Sequence, residues 1–410
     1  MATRRPTTMD AGAVRRRNLS AVLELVHLRR GVTRADLTRA LGLNRSTIGD
    51  LVAVLAENGW VDERDDAPRS GVGRPSPRVL PRDARLVAAI NPELDVIDVA
   101  LVSLGAEIVA RRRVPLSEPP TVAATVERAA RTVAELAADH PESTVVAAGV
   151  AVPGLVRHED GLVRLAPRLG WREEPLAAPL AAAMGIPVAA ANDAHLGCRA
   201  EQSFGAGQGA RTMLYLNGGP SGIGGGLVVD GRPMDGAAGY AGELGHASVD
   251  PNGPLCACGA IGCLEALVPR AALAAAVGLE HPDDDTLESA LLTAIVAEDT
   301  GGPVHEEVAR QLRWLAIALR GAVNLLNPER IVLGGHLAAL WRAADRDQRA
   351  SLLGQALPVN AADATIEVAA LGGQRLLIGA AELAWDGLIA DPLSAGESDA
   401  ARADALPVVS

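Results

Sequence analysis

Glu243-Leu-Gly-His246, followed by Cys256-Ala-Cys258-Gly-Ala-Ile-Gly-Cys263-Leu-Glu265, is the stretch on which the reading of this chain turns. Three of the four cysteines and one of the eight histidines fall inside it. One imidazole and three thiolates form the donor set of a closed tetrahedral zinc site. Two cysteines one residue apart reach a common ion only where the backbone turns sharply, and Gly253, Pro254, Gly259 and Gly262 supply that turning. Cysteines scattered by chance rarely take this spacing beside a histidine, so a structural Zn2+ held by His246, Cys256, Cys258 and Cys263 is expected. Only Cys198 is left over, which suits a reducing compartment better than a disulfide framework.

Outward from this stretch, the 410 residues are enough for two or three domains with a large core. Charged residues make up 21% and apolar residues 49%, an ordinary soluble balance. No apolar run reaches the roughly 18 residues of a membrane helix. The N-terminus carries Arg4, Arg5 and Arg15 to Arg17 without the apolar segment of a secretory signal. A cytoplasmic protein with no membrane partner is expected. The net charge of -12 conceals a division: residues 1–82 carry +6 and the remainder -18. A basic module joined to an acidic body points to a polyanionic partner for the module.

The module reads as three helices. Leu19, Val22, Leu23 and Val26 share one face of a helix over residues 18 to 30, ended by Gly31. Thr33, with Asp36 three residues on, opens a second short helix carrying Leu37 and Leu41. Gly42 makes a turn, Asn44 caps a third helix, and Ile48, Leu51, Val52 and Leu55 form its buried stripe before Asn58-Gly59. This is the helix-turn-helix layout, with Arg45, Ser46, Thr47 and Asp50 placed where side chains reach base edges. Trp60-Val61 and Arg78-Val79-Leu80 read as short strands around Ser70-Gly-Val-Gly-Arg-Pro-Ser-Pro77, a wing whose Arg74 suits a minor-groove or phosphate contact. Short helical trios also serve as protein-docking modules, and that alternative stays open at this point.

From Leu86 onward apolar strand runs alternate with helices, the pattern of an α/β body. Strands are expected at 86–90, 96–102, 107–109 and 144–152, with a helix over 121–138. A second copy of the theme starts near residue 212, with strands at 212–216 and 226–229, a long helix over 304–325 and a strand at 331–335. A helix from about Leu376 to Ala390 is expected to cross back to the first half. The tail after Asp391 has the composition of a disordered segment. The Gly-rich run Gly218 to Gly226 reads as a turn between strands, and as a phosphate loop only weakly.

The run Gly222-Ile-Gly-Gly-Gly226, Asp230-Gly231, Gly239, Gly242-Glu243-Leu-Gly-His246, Asp250-Pro, Gly253 and the Cys-x-Cys-Gly-x-x-Gly-Cys-Leu-Glu cluster resembles the signature of the ROK family, and the resemblance extends over nearly the whole chain. It implies an actin-like, two-lobed ATPase (ribonuclease H-like) body shared by sugar kinases and sugar-responsive repressors. It implies a first lobe over 83–205 with a return helix near 375–390, and a second lobe with the zinc site over 206–374. The basic module, 15–82, followed by Gly73-Arg74-Pro75, resembles the winged helix-turn-helix half of the family's repressors. The tail is 391–410.

Carried over residue by residue, the resemblance implies sugar contacts from Asn192, Asp193, Glu243, His246 and Glu265. Carboxylates and an amide suit buried vicinal hydroxyls, each of which needs a donor and an acceptor. One ring nitrogen of His246 would hold zinc while the other meets a hydroxyl. Asp193 falls at the position of the kinases' general base. The kinases' Asp-x-Gly-x-Thr phosphate turn corresponds here to Asn91-Pro-Glu-Leu-Asp95, in which the Gly and Thr are gone and Glu93 would repel a phosphate. Pro167-Arg168-Leu-Gly-Trp171 carries a guanidinium where the family has an amide, which brings Arg168 into the candidate set and admits a phosphorylated or anionic sugar. The expectation is a sugar-responsive DNA-binding regulator, a repressor rather than an enzyme. Its partners would be operator DNA and a monosaccharide or sugar-phosphate effector, and it would act as a homodimer, with a tetramer left open. The alternative is an ATP-dependent sugar kinase with an accessory DNA-binding module.

Overall fold

The computed structural model describes residues 11–65, 76–220, 222–297 and 301–394. The chain opens with α1 (Ala11–Leu28), β1 (Val32–Thr33), α2 (Arg34–Leu41), α3 (Arg45–Glu57), β2 (Val61–Arg64) and β3 (Arg78–Pro81). α1 begins at Ala11 rather than at residue 18, because the arginines that interrupt the apolar period are good helix formers and stand exposed on it. Thr33 caps α2 by accepting from the Asp36 N–H, and Asn44 caps α3 by accepting from the Thr47 N–H at 2.8 Å. The strands form an antiparallel sheet in the order β1-β3-β2. Two-residue β1 was not foreseen, since so short a run has no periodicity. The connection 66–75, with Arg74, lies outside the described residues.

The first lobe contains β4 (Arg85–Pro92), β5 (Val96–Ser103), β6 (Ile108–Pro115), α4 (Val122–Ala138), β7 (Thr144–Val152), β8 (Leu155–Val156), β9 (Leu162–Ala166), β10 (Trp171–Pro175), α5 (Ala177–Met184), β11 (Val188–Asn192) and α6 (Asp193–Phe204). Its main sheet runs β11-β7-β4-β5-β6, and β8 to β10 form a small separate sheet. The second lobe contains β12 (Met213–Gly219), β13 (Gly222–Val229), β14 (Arg232–Pro233), α7 (Leu264–Leu267), α8 (Arg270–Ala276), α9 (Asp284–Ala297), α10 (Pro303–Leu326), β15 (Arg330–Gly335), α11 (His336–Ala343), α12 (Arg346–Leu353), α13 (Pro358–Asp363) and β16 (Thr365–Val368). Its sheet runs β14-β13-β12-β15-β16. In both lobes an antiparallel meander of three strands is extended by two strands parallel to the first. The two sheets are copies of one topology.

The last helix, α14 (Arg375–Ala390), returns to the first lobe and packs on β4, β7 and α6. The approach is so close that a Cβ on Gly149 would run into the Ala380 carbonyl, and one on Gly379 into that of Leu196. The Gly-rich run is not a loop: apart from a short turn it forms β12 and β13. Its glycines let α6 and the 242 turn lie directly on the strand backbone, since a Cβ on Gly224 would stand 2.6 Å from that of Ala194 and one on Gly226 2.5 Å from that of Cys198.

One apolar core runs from Leu19, Leu23 and Leu55 of the N-terminal module, through Trp60, to Val87, Ala380 and Trp385 of the first lobe. The seam also carries a buried polar bond. His27 Nδ1 accepts the Gly105 N–H at 2.9 Å, so Nε2 carries the proton and donates to Glu382 at 2.8 Å. The Trp60 indole donates to the Pro392 carbonyl at 2.9 Å, and Leu393 packs on the same core. Composition assigned residues from 391 on to a disordered tail. Asp391 to Ser394 instead close over the module, because a buried indole N–H requires an acceptor. Residues 395–410 lie outside the described residues.

Candidate functional site

α6 enters the cleft between the lobes with Asn192 as its N-cap. The amide is fully engaged: Oδ1 accepts the His195 N–H at 3.0 Å and Nδ2 donates to the Gly154 carbonyl at 2.9 Å. Asn192 thus fixes the direction in which the next residue, Asp193, is presented. Burial pushes the Asp193 carboxyl up to about 7, against the Ala194 N–H that it accepts at 2.8 Å; Glu93 and Glu243 raise it further and Arg375 lowers it. Glu93, expected to occupy a phosphate position, lies near enough to raise the Asp193 carboxyl and accepts from Asn91 Nδ2 at 2.8 Å. Two carboxylates at that place oppose a third, anionic group.

The loop from β14 to α7 supplies the opposite wall. Gly239 and Gly242 take positive φ, and Gly242 allows the loop to lie against Gly225 of β13. His195 Nε2 meets the Ala241 carbonyl at 2.5 Å, a tether between α6 and this loop that the sequence did not disclose. Glu243 follows, and burial raises its carboxyl above the usual range. His246 then presents two different edges: Nδ1 lies 3.7 Å from Cys256 Sγ, while Nε2 lies 3.9 Å from a Glu243 oxygen. Glu265, at the start of α7, stands 3.5 Å from His246 Nδ1 and accepts from the Cys256 thiol at 2.9 Å. Gly222, with φ +133°, leaves room for its other oxygen.

His246, Cys256, Cys258 and Cys263 bring their four ligand atoms within 4.8 Å of one another. Sulfurs bound at about 2.3 Å in a tetrahedron stand about 3.8 Å apart. The Cys258 and Cys263 sulfurs are 3.7 Å apart. The Ala260 N–H pulls the exposed Cys258 thiol below the ordinary range, while burial holds Cys256 and Cys263 above it. Gly262 turns so tightly that a Cβ there would strike the Asp250 carbonyl, which makes the required fold of the loop a glycine-dependent one. The donor set, its spacing and a hydrogen-bonded carboxylate behind it fit a bound metal ion.

Asp193, Glu243, His246 and Glu265 thus lie as neighbours where the two lobes meet. Arg168 does not join them: it is exposed on the turn between β9 and β10 and bonds to none of them. In the N-terminal module Arg45, Ser46 and Asp50 are exposed along the first turns of α3, with Thr47 half-buried beside them.

A two-lobed body of duplicated β-sheets, with a carboxylate-lined cleft beside a Cys-rich loop and a small helical module in front, defines the class of protein to be looked for. The chain belongs to the ROK family, whose family model matches residues 88–386. Among curated relatives it is similar to the xylose repressor of Caldicellulosiruptor bescii, at 26% identity over 77% of this chain and 82% of that protein. It is also similar to the glucokinase of Streptomyces coelicolor, at 32% identity over 68% of this chain and 90% of that protein. Among solved structures, a ROK family transcriptional regulator described as a homolog of E. coli MLC protein shares the fold, with a TM-score of 0.73 and 24% identity over 93% of this chain and 97% of that one. The body therefore has the fold of the family's sugar kinases and regulators, and repressors are among its relatives. Among the described residues no helix is long and apolar enough to cross a membrane.

Proposed function

We propose that this chain is a sugar-responsive transcriptional repressor, which binds operator DNA through a winged helix-turn-helix at its N-terminus and releases it when a monosaccharide fills the cleft. The observation that carries the reading is the joining of two parts: a module that exposes Arg45, Ser46 and Asp50 along one helix end, and a sugar-kinase-like body whose phosphate turn bears Glu93. Arg45 serves as the base or phosphate contact, with Thr47 and the wing's Arg74 as neighbours. The chain acts as a homodimer, because two half-sites about one helical turn apart require two modules.

In the cleft, Asp193 and Glu243 accept sugar hydroxyls, and His246 meets a further hydroxyl through Nε2. Asn192 acts by capping α6, and Glu265 by fixing the loop. Arg168 takes part only where a ligand reaches the β9–β10 turn. The metal ion is a structural zinc, selected by the thiolate-rich set, and it supplies the fold of the loop that carries Glu243. Sugar releases DNA if it prefers one lobe closure and the operator another, since a ligand shifts an equilibrium only by its differential affinity.

A sugar kinase remains the second reading, favoured by one observation: the Asp193 carboxyl at about 7 is poised as a general base should be. Calorimetric titration of the zinc-loaded protein with monosaccharides and their phosphates, repeated with ATP and magnesium while ADP is measured, separates the two. Sugar binding without ADP, with Arg45→Ala weakening operator binding by about 1–3 kcal/mol, is the expected outcome. Sugar-dependent ADP would establish the kinase, and unchanged operator binding by Arg45→Ala would remove α3 from the DNA interface.

A further inference from the structure

Behind the cleft lies a cavity of about 290 Å³ that none of the roles above uses. It is near the lower end of small-molecule sites, about 300–1,000 Å³. Its walls include His195 and Arg199 of α6, Arg232 and Asp235 of the segment at and after β14, Leu383 with Asp386 of α14, and Val156 and His158 at and after β8. His195 follows Asp193 by two positions, so it points about 200° around the helix from it. The cavity and the sugar cleft therefore lie on opposite faces of the same helix, and Arg199, one turn after His195, continues the cavity stripe.

The polar lining is balanced and incompletely used. Arg199 is paired with Asp386, and His195 Nε2 is held by the Ala241 carbonyl. Among the described residues the Arg232 guanidinium makes no hydrogen bond or ion pair, and the Asp235 carboxylate makes no direct bond, acting on Arg199 only at longer range. The guanidiniums of Arg199 and Arg232 are balanced in the lining by the carboxylates of Asp235 and Asp386. Such a site disfavours a simple anion or cation. It favours hydroxyl groups, each of which offers a donor to Asp235 and an acceptor to Arg232.

The position ties this cavity to the cleft. Gly239, with φ +89°, lines it and leads on the same loop to Glu243; a Cβ there would press on the Val156 carbonyl at 3.1 Å and on His158 at 3.2 Å. Both lobes contribute walls, so the cavity changes shape whenever the lobes move. Leu383 and Asp386 flank the turn of α14 that bears Glu382, the partner of His27 in the N-terminal module. We propose that this cavity is a second effector site, which takes a small neutral polyol of monosaccharide size and couples it to the same lobe movement as the cleft.

Hydrogen exchange on the full-length, zinc-loaded protein tests this, with D-xylose, D-glucose, xylitol and glycerol as probes and alanine and inorganic phosphate as zwitterionic and anionic controls. The cleft is disabled with Glu243→Gln. At least one polyol should still slow exchange over residues 195–199 and 232–241 in that variant, and Asp235→Asn should raise the concentration needed about tenfold. Arg232→Gln, on an exposed strand, gives the same readout should Asp235→Asn fold poorly. Protection of 195–199 and 232–241 that disappears with Glu243→Gln would overturn the second site while leaving the cleft reading intact. Protection by alanine or phosphate alone, or by none of the probes, overturns it as well.

Discussion

Two seams hold this molecule together, and they differ in how much apolar surface each buries. Between the N-terminal module and the first lobe the seam is apolar and continuous: Trp60 meets Trp385 edge-on at 6.3 Å, within a core that runs unbroken from α1 to α14. Between the two lobes the seam is smaller and mixed: α6 lies on the glycine backbone of β13, a small apolar cluster joins Cys198 to Tyr215, Val228 and Val332, and a buried carboxylate bridges the chain crossings. The chain crosses between lobes after α6 and again before α14, and a single buried side chain grips both crossings. Glu201 accepts the N–H of Ala206 at 2.8 Å, and those of Ala370 and Leu371 at 3.0 and 2.9 Å. A large packed core rarely slides, whereas a small apolar cluster beside a hydrogen-bonded hinge opens at lower cost. The contrast implies that module and first lobe move as one body and that the second lobe swings against them.

The strongest way to break this contrast is at the apolar seam. Trp385→Ala should cost about 3–5 kcal/mol, and the module should lose its protection together with β4 and β7 in a single unfolding transition. Separate melting of the module would show that the shared core does not join them. Next comes the polar bond of the same seam. His27→Ala takes from buried Glu382 its imidazole donor, leaving Ser203 as partner, and should cost about 3 kcal/mol, whereas His27→Gln, which can both accept from Gly105 and donate to Glu382, should recover most of that in thermal denaturation. Equal losses in the two variants would reduce His27 to a packing residue.

At the lobe seam the expected effect is smaller and of another kind. Glu201→Gln turns an amide NH2 toward backbone donors and should cost about 1–3 kcal/mol. Its mark is faster exchange at residues 206 and 370–371 with an altered sugar affinity, while the module keeps its protection. The smallest effect is in pH. Asp193, with a folded value of about 7 and an unfolded one near 3.9, holds a proton that the unfolded chain has already lost between those values. Stability from this group is therefore fully present below about pH 4 and falls as pH rises toward 7. Because an ionised carboxylate is the better hydroxyl acceptor, affinity for a neutral sugar should rise over the upper part of the same range. Asp193→Asn should flatten both profiles, and profiles unchanged by Asp193→Asn would place the titration elsewhere.

Much of this was open to reading from residue types alone. The helix caps at Thr33 and Asn44 were legible because a short polar side chain before an apolar stripe has one main use. The metal cluster was legible because its four ligands lie close together in the chain. Strand runs such as 144–152 were legible from unbroken apolar residues. The contacts that bind distant parts were not. His27 and Glu382 are 355 positions apart, and neither is unusual in its local sequence. Arg168, singled out by its place in a motif, stands on an exposed turn, whereas Glu93, noticed only as a misfit in a phosphate turn, lies near enough to Asp193 to raise its carboxyl.

The sequence by itself determined the α/β class of the body, the helical module at its front and the candidate metal cluster. Each rests on spacing within a short window, where backbone geometry alone decides which side chains share a face. Only the tertiary structure decided that the module is fused to the first lobe, that one glutamate clamps both lobe crossings, and that α6 carries Asp193 at its start and lines a separate cavity with His195 and Arg199. Those facts depend on which surfaces meet when apolar stripes far apart in the chain are buried together, and local sequence carries no record of that choice.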